Sequence, residues 1–234
     1  MVHDICRQNL NVIFAIDRAG FVGADGETHH GVYDIPFLRH VPNLVLMMPK
    51  DENELRRMMK TAVDYNEGPI AVRYPRTNGL GVAIDPEMLP IPIGTWEVLR
   101  SGDQVAVVAV GPMIGVAEDA AEQLKREGIN PRIINARFIK PLDEAMLRSL
   151  AEEGVQIIVL EEGSELAGLG SAVMEFYSLN QIYGVNVRII GVPDEFIEHG
   201  SVKEQRAEIG LTAERVASEV KALMPRRTRM ATGQ

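Results

Sequence analysis

The chain has one cysteine, Cys6, so it can form no disulfide within itself; beside Ile5 that thiol reads as a small core residue, not a nucleophile. No apolar run approaches the ~20 residues a membrane helix requires, and no charged, apolar and small-residue sequence of the signal-peptide kind opens the chain. A soluble cytoplasmic protein without a membrane partner is expected. No long basic run offsets the formal charge of -9, from Lys+Arg 24 against Asp+Glu 33, which speaks against nucleic acid as a partner. Repeats at the periods of solenoids or propellers are missing. The adjacent pair His29 and His30 has no Cys or further His at ligand spacing, so no metal is expected on these residues.

Apolar residues, by contrast, make up 46% of the 234, enough for a real core. Short apolar runs at 11–16 (NVIFAI), 44–48 (LVLMM) and 69–74 (PIAVRY) read as strands buried in a covered sheet. Further strands are predicted at 105–110, 132–135, 156–160 and 187–190. Between them lie helical patterns: Asp51 with Glu54 as a capping-box-like start and Leu55, Met58, Met59 and Ala62 as a buried stripe; others around 116–124, 143–152 and 171–183; a capping box at Ser201 and Glu204; and a last helix opened by Thr212. The charged stretch Glu52 to Arg57 reads as a solvated helix face. Residues 2–9 keep helical spacing from the first position, as in the tail of a longer helix, which makes Met1 look like a cut.

Strand and helix in alternation imply an α/β fold of two three-layer domains with mainly parallel sheets. The expected division is a first domain at 1–80, a Gly- and Pro-punctuated linker at 81–94, a second domain at 95–226 and a flexible tail at 227–234, within the stretch PRRTRMATGQ.

The polar loop in FAIDRAGFVGADGETHHG, residues 14–31, comes directly after a strand, where open parallel sheets place their ligands. Gly20, Gly23 and Gly26 permit positive φ and close backbone approach, and Asp25 and His29 can exchange protons. The glycine spacing is neither a Walker A loop nor a dinucleotide fingerprint, so the residues alone leave a binding loop and a structural Ω-loop evenly matched. Arg73 and Arg76 flank Tyr74-Pro75 at the end of an adjacent strand, and Arg18 with such a partner could hold a phosphate through bidentate bonds. The plainer alternative pairs Arg18 with Asp17 or Asp25. Gly163, Gly168 and Gly170 could cradle an anion at a helix start, but Glu161, Glu162 and Glu165 would repel it. His30 reads as a loop-packing residue and His199 as a hydrogen-bonded structural histidine.

Taken together, DRAGFVGADGETHHG, VPNLVLMMPKDENELRRMM, GPIAVRYPR, LEEGSELAGLGSAV and GVPDEFIEHGSVKEQRAEIGL resemble the deoxyxylulose-5-phosphate synthase family of the transketolase superfamily, over nearly the whole chain. The resemblance implies a transferase dependent on thiamine diphosphate and Mg2+. It would condense pyruvate with glyceraldehyde 3-phosphate, release carbon dioxide and give 1-deoxy-D-xylulose 5-phosphate, a precursor of isoprenoids, thiamine and pyridoxal. It implies that Arg18 and Arg76 clamp the acceptor phosphate and that Asp25 and His29 contact the substrate or its covalent adduct.

Family members carry three domains, and the resemblance covers most of the pyrimidine-binding domain and all of the C-terminal one. The magnesium motif, the glutamate that activates the cofactor and the aromatic that stacks on it lie outside that resemblance. The cofactor-binding residues in this chain are therefore unknown, and the chain alone is expected to be inactive and to hold the cofactor poorly. It is expected to work as a homodimer or with a partner chain carrying the diphosphate-binding domain. Two other readings stay open: a noncatalytic dimerisation or assembly module, and the β subunit of a two-chain 2-oxoacid dehydrogenase component.

Overall fold

Three apolar runs early in the chain become parallel strands of one sheet, in a computed structural model that describes residues 1–224 and so leaves the PRRTRMATGQ tail outside the described residues. They are β1 (Ile13–Ile16), β2 (Val45–Met47) and β3 (Ile70–Arg73), in the order β1-β3-β2. A fourth strand, β7 (Phe138–Lys140), comes from the later half of the chain and pairs antiparallel with β2. The second sheet has the order β4-β6-β5-β8-β9, from β4 (Glu97–Arg100), β5 (Val105–Ala109), β6 (Arg132–Asn135), β8 (Gln156–Ser164) and β9 (Val187–Val192). Only β4 runs antiparallel there.

Helices α1 (Asp34–Arg39), α2 (Glu52–Asp64), α3 (Met113–Lys125), α4 (Glu144–Glu152), α5 (Leu169–Leu179), α6 (Val202–Glu208) and α7 (Ala213–Leu223) complete the two α/β units. None is long and apolar enough to cross a membrane, among the described residues. The mainly parallel architecture agrees with the alternation in the sequence. Elements β4, β7 and α1 were not expected: β7 has only three residues, α1 six, and β4 is a half-exposed edge without a clear apolar stripe. At residues 2–9 only a π-helical turn forms, Val2–Cys6, with Cys6 buried as expected.

The two units are joined by hydrogen bonds as well as by apolar packing. Glu54 accepts from the Lys50 amide at 2.7 Å and from Asn135 Nδ2 at 2.9 Å, while Lys50 Nζ reaches Glu97 at 2.8 Å. Burial pulls the Lys50 ammonium down, but the Glu54 and Glu97 carboxylates outweigh it and its pKa is raised. Trp96 Nε1 donates to the Phe138 carbonyl at 2.8 Å and ties the start of the second unit to the strand that crosses into the first sheet.

The charged face of α2 differs from the solvated face expected. Residues 80–91 form no strand or helix, so their backbone groups need other partners. Side chains of α2 supply them. Glu52 serves Leu80, Gly81 and Val82; Asn53 and Arg56 hold Asp85; Arg57 donates to the Leu89 carbonyl; and Thr61 binds both backbone groups of Ile91. The linker is strapped along a helix.

Candidate functional site

The rim of the first sheet is built by the segments that leave the carboxyl ends of β1 and β3. The ladder Ile16 to Arg73 continues past both strands, through the Tyr74 amide on the Ile16 carbonyl at 2.9 Å and the Ala19 amide on the Tyr74 carbonyl at 3.0 Å. Arg18 and Arg76 are therefore carried by neighbouring strand ends. Arg18 sits at φ 60, a left-handed conformation that non-glycine residues take at a cost of about 1–2 kcal/mol. The loop closes beside it: Gly20 and Gly31 exchange two backbone hydrogen bonds at 2.8 Å, which sets Gly31 against the turn. A Cβ on Gly31 would stand 2.1 Å from the Arg18 carbonyl oxygen, so that position admits only glycine.

Inside the closed loop are two short 3-10 turns, Gly23–Asp25 and Glu27–His29, separated by Gly26 at φ 80. The first presents Asp25 to Arg76, with which it forms an ion pair. The second leaves His29 exposed, its Nδ1 2.9 Å from the Thr28 hydroxyl. Arg18 turns to its neighbour Asp17, with Nη1 2.6 Å from Oδ2. The structure thus joins Asp25 to Arg76 directly. Arg18 and Arg76 are engaged by different carboxylates, and no hydrogen bond joins His29 to Asp25 among the described residues.

The supporting side chains include two that the sequence put forward, Arg73 and His30, and two that it did not, Asp34 and Gln205; of the two arginines offered as partners for Arg18, Arg73 is buried on Asp34 and only Arg76 reaches the rim. Arg73, fully buried at the end of β3, donates to both Asp34 oxygens at 2.8 and 2.9 Å and to the Gly31 carbonyl at 3.0 Å, holding the exit of the loop. The signal was there: one arginine inside an apolar strand run. His30 accepts from the Val22 amide at 3.3 Å through Nδ1, which assigns the proton to Nε2, 3.1 Å from the Ile197 carbonyl. Buried Gln205 donates to the carbonyls of Gly23 and Glu198 at 3.2 and 2.9 Å. The back of the loop is bolted to the second unit at 197–205, as the loop-packing reading of His30 anticipated.

His199 departs from expectation. It is exposed and makes no side-chain hydrogen bond among the described residues; the contacts here go instead to the backbone carbonyls of the two residues before it, from His30 to Ile197 and from Gln205 to Glu198. Its Cβ stands 3.4 Å from where a Cβ on Gly26 would lie.

The glycine-rich start of α5 does cradle an anion, and the anion is Glu161. Its fully buried carboxylate accepts the Leu169 and Gly170 amides at 2.8 Å each, and a Cβ on Gly168 would come within 2.4 Å of it. Like charges argued against an external ligand here; the helix start instead takes one of those charges for itself. Burial pushes the Glu161 pKa up to about 7, against the two amides and the more distant Arg73 and Arg39. Because the folded pKa lies above the ordinary 4.5, the folded state binds the extra proton. Stability from this group is full below about 4.5 and is lost as pH rises through 7. The difference in melting temperature between wild type and Glu161→Gln is therefore expected to shift against the wild type from pH 5 to pH 8. Parallel pH profiles would contradict it.

Comparison with known proteins gives these residues a context. Residues 1–80 match the domain family described as transketolase, pyrimidine binding domain, and residues 94–216 that described as transketolase, C-terminal domain. The chain is 58% identical to the 1-deoxy-D-xylulose-5-phosphate synthase of Brevibacillus brevis over 96% of its length and 36% of that protein's. It is 57% identical to the enzyme of the same name from Geobacillus thermodenitrificans over 99% of its length and 37% of that protein's. It thus spans just over a third of these curated relatives. Among solved structures, a split-gene transketolase described as an inactive β4 tetramer superposes with a TM-score of 0.83 at 30% identity, over 95% of this chain and 70% of that one. The chain belongs to the transketolase family, with the family's pyrimidine-binding and C-terminal domains in that order.

Proposed function

We propose that this chain is a portion of a 1-deoxy-D-xylulose-5-phosphate synthase, which condenses pyruvate with D-glyceraldehyde 3-phosphate and releases carbon dioxide. In this reading residues 1–80 are part of the pyrimidine-binding domain, 81–94 the linker and 95–226 the C-terminal domain. The observation that carries it is the Asp25–Arg76 pair at the rim of β1 and β3, beside Arg18 at the neighbouring strand end. In this reading the planar guanidinium groups of Arg18 and Arg76 leave Asp17 and Asp25 to hold the acceptor phosphate by bidentate bonds. Asp25 and His29 stand on consecutive turns of one loop and serve the reacting end, Asp25 as an oriented acceptor and His29 as a proton carrier. A phosphate dianion competes with Asp25 for Arg76, so binding of the acceptor frees the carboxylate for the substrate.

Thiamine diphosphate with Mg2+ supplies the carbanion chemistry of the whole enzyme. Among the described residues no group of three or more imidazole, thiol or carboxylate side chains is arranged to hold a metal ion. These residues do not fit the diphosphate grip, and no step through the cofactor is assigned to them. That grip belongs to a diphosphate-binding portion, in the same polypeptide or a partner chain, with the whole as a homodimer or higher assembly. The inactive β4 tetramer of the split-gene transketolase describes the state expected of this chain by itself.

A chimera tests the proposal: the part of the Brevibacillus brevis enzyme that precedes the aligned region is fused to this chain and supplied with pyruvate, glyceraldehyde 3-phosphate, thiamine diphosphate and Mg2+. Product formation at ordinary enzyme rates of ~1 per second or more is expected from the chimera and none from the chain alone. A folded chimera without turnover would contradict the assignment.

A further inference from the structure

Arg76 is held in place by more than the strand before it. On its amino-terminal side Tyr74 is fixed to β1 by two backbone hydrogen bonds, Tyr74 N to Ile16 O at 2.9 Å and Ala19 N to Tyr74 O at 3.0 Å. On the other side the first fixed point is the Glu52 carboxylate, which accepts the amides of Leu80 at 3.0 Å, Gly81 at 2.6 Å and Val82 at 3.0 Å. Three successive amides on one carboxylate make a closed anion nest with the anion already supplied by the chain. Its own amide and those three hold the Glu52 carboxyl below the usual carboxylate range. Gly79 completes the seat: a Cβ there would stand 3.0 Å from Glu52 Oε1.

We propose that Glu52 is a positioning residue for the phosphate clamp: by seizing the backbone at 80–82 it keeps the free span around Arg76 short and the guanidinium facing the 20–31 loop. The inference rests on the reading of Arg76 as a phosphate ligand. With Glu52 in place the untethered span is 75–79. Without it the next anchor is the Asp85 amide, held by Asn53 at 3.0 Å, and the span becomes 75–84, twice as long. Doubling a flexible span lowers the effective concentration of a group on it by roughly threefold. The same geometry explains why a helix side chain, not water, satisfies these amides: the carboxylate sits on the first turn of α2, which is itself anchored by the Asp51 cap at 2.7 Å from the Glu54 amide.

The test titrates the chain with glycerol 3-phosphate, a phosphate monoester that cannot condense, and monitors amide exchange and the Arg76 Nε–H resonance by NMR. In Glu52→Ala the amides of Leu80, Gly81 and Val82 are expected to lose protection, the Arg76 resonance to broaden, and affinity to fall roughly threefold with little change in melting temperature. Asn53→Ala, which frees only the anchor at Asp85, is expected to leave affinity unchanged. If Glu52→Ala binds as the wild type does while Arg76→Ala loses affinity, the positioning role is overturned and the clamp stands. If Arg76→Ala also binds as the wild type does, the clamp falls and the positioning role with it.

Discussion

Replacing Arg73 by methionine is expected to destabilise the chain by about 3–5 kcal/mol, the cost of breaking a buried ion pair by removing one partner. The guanidinium is fully buried and spends its donors on both oxygens of Asp34, on the Gly31 carbonyl and on Met48 Sδ at 2.8 Å. Methionine keeps much of the volume but leaves the Asp34 carboxylate facing a site with no cation, and withdraws the donor that holds the exit of the loop. The double variant Arg73→Met, Asp34→Asn is expected to lose less than the single one, because the stranded charge is gone. Urea denaturation measures both. A loss below about 1 kcal/mol in Arg73→Met would contradict a buried, structural role for the pair, since exposed pairs cost no more than that.

The second large effect is on ligand binding. Arg76→Ala is expected to weaken binding of glycerol 3-phosphate roughly 10- to 100-fold, the worth of charge-assisted hydrogen bonds of about 1.5–3 kcal/mol. Asp25 contributes to that loss, because without Arg76 the carboxylate faces the incoming dianion with its charge unpaired. Asp25→Asn separates the two effects: it removes the competitor for Arg76 and is expected to bind the phosphate more tightly than the wild type. Calorimetric titration of the three proteins decides it. Equal affinities in all three would place the phosphate elsewhere.

The fold was legible where burial left a simple mark. The runs at 44–48 and 69–74 are apolar because strands covered on both faces need no alternation, and β2 and β3 are buried at every position. The run at 11–16, read the same way, is corrected by the structure: β1 is the edge strand of its sheet, with Ile13 and Ala15 exposed. Strand β7 left no such mark: three residues of the later half cross into the first sheet, a long-range pairing that no local pattern encodes. The polar face of α2 misled for a related reason. Periodicity identifies a face that avoids the core, but cannot distinguish one that meets water from one that meets a strap of backbone lacking its own hydrogen bonds.

At the rim, the glycines and the strand-end position announced a loop of unusual backbone, and the close approach to the Arg18 carbonyl explains why position 31 is a glycine. Which side chains meet was not legible. Arg18 had Asp17 and Asp25 as equal candidates in sequence, and the three-dimensional path gave Asp17 to Arg18 and Asp25 to Arg76. Glu161 shows the same limit from the other side: its neighbours in sequence suggested repulsion, and only the return of α5 supplies the two amides that donate to its carboxylate.

The most direct measurement is a crystal structure of the chain grown with glycerol 3-phosphate. The phosphate is expected between Arg18 and Arg76, with Arg76 turned from Asp25 and the loop 20–31 still closed through Gly20 and Gly31. A phosphate held by other residues, with the Asp25–Arg76 pair intact and Arg18 still on Asp17, would contradict the clamp.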